Sequence, residues 1–266
     1  MVVTLRLTDW DWNPTSVAGL WLTAAAYLWV LHRFRVGRRQ QLYFWAGFST
    51  LVVALLSPVH TGAPYSFTLH MVQHMLLMMV APPLLVLGVP SGVVGWLHRR
   101  PSLWHAYRAL WSPVPAFVLY NGVLLLWHSP AAYIATLEAP WIHAAEHASF
   151  VAVGLVFWGV IVSPAPTLVQ ADLGVRITML FGTEVVNFLL GLALAFSDRV
   201  FYWPYTVVPH LWGLSALQDQ KLGGSLMWVM GQMMYVIPLL ILIAWFLGRE
   251  ERVQQRREAQ AAHGRN

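Results

Sequence analysis

The sequence predicts an all-α integral membrane protein built as a bundle of seven transmembrane helices, and three observations carry that prediction. The 266 residues are 58% hydrophobic and only 10% charged, where an average soluble domain is about 25% charged. The mean hydropathy is +0.58, and the apolar residues gather into seven segments near the ~20 residues a helix needs to cross the hydrocarbon core. Fifteen Trp and sixteen Pro agree, because Trp favours bilayer interfaces and Pro is tolerated in membrane helices. Cysteine is absent, which excludes disulfides, thiolate nucleophiles, iron–sulfur clusters and any Cys-based metal relay.

Residues 1–13, with Asp9-Trp10-Asp11-Trp12, form a polar and aromatic lead-in at the interface, without the basic-then-apolar pattern of a cleavable signal. The spans are expected at 14–34, 42–59, 68–89, 113–127, 142–163, 175–196 and 225–247, the fourth being short enough to need flanking residues. Pro82-Pro83 removes two backbone donors from the third span and predicts a kink. The 197–224 linker, with Trp203-Pro204-Tyr205 and Trp212, is expected to lie along the interface. Gly223-Gly224 permits a tight turn or a close backbone approach before the last span. Residues 1–248 thus read as one transmembrane domain and 249–266 as a charged tail.

Of the sixteen Lys and Arg, only Arg6, Arg199 and Lys221 fall on the side of the N-terminus; the other thirteen lie in the alternate loops and the tail. The positive-inside rule then places the N-terminus outside and the C-terminus in the cytoplasm. The formal charge of +5 is assigned to this orientation, with lipid and not nucleic acid as the surrounding partner.

That topology sorts the histidines. His60, His70, His74, His128, His143 and His147 lie at or just inside the ends of four spans on the outer side, whereas His210 lies in the outer loop. His70-Met-Val-Gln-His74 and His143-Ala-Ala-Glu-His147 each put two imidazoles on one helix face. Both spans run inward, so the two pairs sit at matching depth. Imidazole is a common ligand for copper, zinc and iron, and unpaired polar rings inside a span are costly. The six histidines are therefore the candidate metal ligands, forming one site or two neighbouring ones. Met71, Met75, Met78 and Met79, with Met227, Met230, Met233 and Met234, are packing residues or thioether ligands suited to Cu(I). Glu146 and Asp219 are candidate acceptors for fixing histidine tautomers. Asn121, Glu184 and Asn187 inside spans are interhelical glue, or part of a path across the bilayer. HExxH is absent, which argues against a zinc protease.

Several stretches resemble the CtaG-type integral-membrane assembly factors of caa3-type cytochrome c oxidase. They are Leu69-His70-Met71-Val72-Gln73-His74-Met75-Leu76-Leu77-Met78 running into Ala81-Pro82-Pro83-Leu84-Leu85, then Trp127-His128-Ser129-Pro130, Ile142-His143-Ala144-Ala145-Glu146-His147 and Asp219-Gln220-Lys221-Leu222-Gly223-Gly224. The resemblance covers roughly residues 60–245. It implies a multi-pass protein of the bacterial plasma membrane that matures a haem–copper oxidase through copper supply. Its histidine positions fall on His70, His74, His128, His143 and His147. Transfer of copper to an oxidase subunit by ligand exchange, with no covalent chemistry on a substrate, is the function expected. A bis-histidine haem protein, a metal-dependent membrane enzyme and a transporter are the alternatives the residues leave open.

Overall fold

The computed structural model describes residues 2–162 and 171–263. Residue 163, at the expected end of the fifth span, and residues 264–266 of the expected tail lie outside them. The described residues are 83% helical. Among the described residues six helical segments are long and apolar enough to cross a membrane, or seven if one bent pair counts as a single span.

Proline sets many of the helix starts. Helices α1 (Pro14–Arg33), α3 (Pro58–Gly62), α7 (Pro101–Leu110), α8 (Pro113–His128), α9 (Pro130–Glu138) and α10 (Pro140–Val162) all begin on it. There its missing N–H costs nothing and its fixed φ suits the first turn. Much of the proline content is therefore helix punctuation. The fourth expected span is the bent pair: α7 and α8 meet at 60° across a short break.

The bundle is inverted relative to a soluble one. Trp21, Leu22, Val118, Phe181, Leu189 and Ile241 point outward, whereas His70, Gln73, Asn121, Glu146, Thr183 and Asn187 are buried. An apolar exterior over an apolar core that also encloses polar groups suits hydrocarbon as solvent. Asn121 donates to the Thr183 hydroxyl (3.0 Å), tying α8 to α11 (Leu173–Phe196). Asn187 donates to the Met227 carbonyl (3.1 Å), tying α11 to α12 (Ala216–His263). The two asparagines are interhelical glue; Glu184 is half-buried and has no partner among the described residues.

The third expected span is interrupted. Helix α4 (Phe67–Met75) passes into a π-helical turn at Leu76–Val80 and then into α5 (Ala81–Leu87). Pro82 and Pro83 supply no N–H, so the Met78 carbonyl has no helical donor. Tyr120 Oη (3.3 Å) and Trp158 Nε1 (3.1 Å) donate to it instead. Gly154 on α10 makes room: a Cβ there would stand 2.6 Å from the Pro82 ring.

Helix α12 starts earlier than expected and takes in Gly223-Gly224. Of the two uses open to that pair, the structure shows the close approach: a Cβ on Gly224 would meet the Ala195 backbone nitrogen at 2.6 Å. The helix continues unbroken to His263, so the described part of the charged tail extends the last span. Between α11 and α12 the linker folds back over the bundle end. It carries a 3₁₀ turn at Trp203–Thr206 and strand β2 (His210–Leu211), which pairs in parallel with β1 (Val2–Val3). Trp203 and Trp212 are exposed, while Tyr202 and Tyr205 are buried.

Candidate metal centre

The site is assembled where α4 meets α10. Ser66 caps α4 by accepting from Leu69 N (3.3 Å). Asp219, reaching from α12, accepts from Phe67 N (2.6 Å), Thr68 N (3.2 Å), Ser66 Oγ (3.0 Å) and Thr68 Oγ1 (2.6 Å). The sequence pointed to Asp219 as a partner for an imidazole; the structure gives it this capping role. With its start fixed, α4 presents His70 and His74 on one face, and α10 presents His143, Glu146 and His147 on the face opposite.

Both pairs form one cluster. Ring centroids lie 4.3 Å apart for His70–His74, 4.2 Å for His143–His147, 5.2 Å for His70–His143 and 6.2 Å for His74–His147. His128, at the end of α8, joins at 5.6 Å from His74. Glu146 stands among them, wholly buried. Its oxygens lie 3.6 Å from His70 Nε2, 3.4 Å from His74 Nε2 and 3.8 Å from His143 Nε2. The donor atoms of His70, His74, Glu146 and His147 all fall within 4.8 Å of one another.

The hydrogen-bond ledger of this cluster is unusual. Nε2 of His70, His74, His128, His143 and His147, and both carboxylate oxygens of Glu146, are buried without a hydrogen-bond partner. Buried polar groups are paired in the great majority of cases, and an unpaired carboxylate in a dry interior is among the costliest. Neutral imidazoles with a carboxylate are a donor set for a divalent or monovalent first-row ion. Donors around a four-coordinate ion bound at about 2.0–2.1 Å stand about 3.3 Å apart, close to the separations about Glu146. The residues fit a metal ion after a contraction of at most about 1.5 Å at the widest pair.

Tautomers follow from the neighbours. His128 Nδ1 faces the Leu124 carbonyl at 2.7 Å; a carbonyl only accepts, so Nδ1 carries the proton and Nε2 a bare lone pair. His70 Nδ1 meets the Tyr133 hydroxyl at 2.7 Å, Tyr133 meets Tyr205 at 2.9 Å, and Tyr205 donates to the Ala63 carbonyl at 3.0 Å. These three contacts need three protons. With His70 Hδ1 as the third, all three contacts are hydrogen bonds and the chain runs from imidazole to carbonyl in one direction; Nδ1 also lies 3.1 Å from the Tyr205 hydroxyl. His70 Nε2 is thereby left as a lone pair aimed at the cluster. Burial pushes the Tyr133 and Tyr205 hydroxyls well above the ordinary phenol range, so both stay protonated.

His60 differs from the other five. The Gln73 amide donates to the Ala54 carbonyl (2.7 Å), which fixes its orientation, and also to His60 Nδ1 (2.8 Å). Nε2 of His60 faces Asp11 at 3.4 Å. Both ring nitrogens are engaged, and His60 sits at the rim, 5.9 Å from the His143 ring. The methionines pack: Met71 and Met227 lie in one apolar cluster, Met75, Met78 and Met79 in another, and Met230 and Met233 are exposed. Sequence reasoning had missed Tyr133, Tyr205 and Gln73, and had assigned Glu146 a supporting place. Gln73 lies inside the His70–His74 motif and was open to notice; the two tyrosines carry no local signal.

The model of the cytochrome c oxidase caa3 assembly factor family (Caa3_CtaG) matches residues 25–249, a range that includes every residue of this cluster. The chain belongs to that family. Among curated proteins it is similar to uncharacterised proteins of Mycobacterium bovis and Mycobacterium tuberculosis, each 27% identical over 236 residues, 81% of this chain and 35% of the relative. A Mycobacterium leprae protein is 27% identical over 231 residues, with the same coverage. The chain thus spans about a third of the length of the curated relatives it matches. No solved structure matches it.

Proposed function

We propose that this protein holds a copper ion among His70, His74, Glu146 and His147, with His143 and His128 flanking, and supports copper insertion into a haem–copper oxidase subunit. The observation that carries the reading is Glu146, fully buried with both oxygens unpartnered and ringed by imidazole nitrogens that also lack partners. A cation at that point gives all of these groups a partner at once. The site lies toward the outer face in the orientation set by the Arg distribution. Delivery proceeds by ligand exchange, with no covalent chemistry on a substrate. Donor convergence favours a single small ion over haem, because the imidazoles abut one another and Glu146 occupies the space between them.

Metal content and the optical spectrum of the purified full chain test the assignment. Copper is expected in wild type and lost in His74→Ala, His147→Ala and Glu146→Gln. Unchanged copper stoichiometry in those variants would falsify the ligand set, and a Soret band in place of copper would favour haem. For the delivery role, oxidase isolated from a strain lacking the gene is expected to be copper-deficient; full copper loading would end that part of the reading.

A further inference from the structure

The buried cluster needs a route for its ion, and the structure offers a candidate. A cavity of about 390 Å³ opens between the start of α1, α3 and the start of α10. Its walls include Asn13, Thr15 and Ser16 on one side and His60, His143 and His147 on the other. Two larger cavities, of about 450 Å³ against α1, α2 (Arg38–Leu56) and α5 and of about 610 Å³ between α8 and α11, are lined mainly by apolar residues such as Leu22, Phe44 and Leu85 or Val114, Phe117 and Met179, surfaces a hydrated ion does not enter. At the rim of the polar cavity the Asp11 carboxylate, 44% exposed, leans on His60, a negative charge that attracts cations.

We propose that the metal enters and leaves through this cavity, and that His143 is the ligand that takes the ion at the cavity wall and passes it to the buried donors. This rests on the metal-binding reading above. Two observations carry it. His70 and Glu146 are fully buried, whereas the His143 side chain keeps 18% exposure while its unpartnered Nε2 is buried 3.8 Å from Glu146 Oε2, so one ring spans from the cavity wall to the inner donors. His147, itself buried and with its Nε2 unpartnered, belongs both to the four-donor group and to the cavity wall. An ion held by His143 therefore moves from solvent to the buried set by exchanging one water for one donor at a time. Its oxidation state does not change.

The test plugs the cavity without touching a donor. Ala144 and Ser16 both line it. The metal-stripped full chain in detergent micelles is mixed with Cu²⁺, uptake is followed by tryptophan quenching, and release into EDTA is timed. In Ala144→Phe and, independently, Ser16→Phe, access waits on a minor open conformer populated at roughly 10% or less, so uptake and release slow by about tenfold or more. Final copper stoichiometry stays that of wild type. His143→Ala is expected to slow exchange as well while the cavity stays open. Wild-type exchange rates in both plugged variants, at wild-type stoichiometry, overturn the route alone. A wild-type chain that takes up no copper overturns the metal-binding reading and the route with it. If one Phe variant fails to fold, the other decides.

Discussion

The hydrogen-bond chain behind His70 makes a prediction that distance alone would reverse. Tyr133 is nearer the imidazole (2.7 Å) than Tyr205 (3.1 Å), so a simple reading expects Tyr133→Phe to do more damage. Counting protons gives the opposite order. In Tyr133→Phe, His70 Nδ1–H turns to the Tyr205 oxygen and Tyr205 still donates to the Ala63 carbonyl. Every group stays paired, and the expected loss of copper affinity is under about 1 kcal/mol, roughly fivefold. In Tyr205→Phe, the Tyr133 hydroxyl loses its acceptor and has only His70 Nδ1 left to donate to. That bond demands the tautomer with the proton on Nε2, the atom aimed at the metal. Binding must then strand a buried hydroxyl at a cost of about 1–3 kcal/mol, about 5- to 150-fold in affinity, which brackets the range usual for groups that orient a ligand. Chelator competition on the purified full chain reads the affinities, and the thermal midpoint checks the fold. A Tyr133→Phe loss equal to or larger than that of Tyr205→Phe would refute the one-way chain.

Three further outcomes are expected. Asp219→Ala removes the acceptor for two backbone N–H groups and two hydroxyls at the start of α4; it should cost about 2–4 kcal/mol in thermal unfolding, and Asp219→Asn about half, whereas a midpoint for the Ala variant at the wild-type value would contradict the clamp. His60→Ala should leave copper stoichiometry at the wild-type value, because its lone pair is already engaged by Gln73; copper loss comparable to that of His147→Ala would place His60 among the donors. Burial raises the Tyr133, Tyr202 and Tyr205 hydroxyls above the ordinary phenol range, so the unfolded chain sheds protons first as pH rises. Their contribution is fully present below about pH 10 and is lost above it, and unfolding midpoints flat from neutral pH through pH 12 would exclude it.

The legible parts of the molecule are those written in local pattern. Apolar length gives the spans, and the four-residue histidine spacing gives the two faces that meet. What escaped lies in long-range pairing. Glu146 differs from a supporting acceptor in standing among the imidazole nitrogens of His70, His74 and His143 without a well-formed hydrogen bond to any of them, which no local sequence reveals. Tyr133 and Tyr205 come from α9 and from a linker whose aromatic residues read as interfacial. The linker in fact divides its aromatics, sending Trp203 outward and Tyr202 and Tyr205 inward. Asp219 lies 153 residues from the Ser66 it binds, so its capping role depends on α12 packing beside α4. The proline pair was readable as a break, but its form as a π turn depends on Tyr120 and Trp158 taking the carbonyl the prolines leave open.

These long-range pairings share a purpose. Helix α4 has only nine residues, about 13 Å, too short to be rigid alone, yet it must hold two imidazoles in register with α10. Its start is clamped by Asp219 of α12. Its exit is clamped at the Met78 carbonyl by Tyr120 of α8 and Trp158 of α10, and Tyr120 is itself bonded to Tyr235 of α12 at 2.8 Å. Helix α12 thus braces both ends of α4 while contributing no donor to the cluster. A donor cluster held this way is preorganised by residues remote from it, as the second layer of a ligand shell usually is. The π turn begins two residues after the second imidazole and contains the clamped Met78 carbonyl, and such turns recur in helices that carry function. The geometry of the cluster is therefore a property of four helices, and the histidine motif is the part of it that sequence displays.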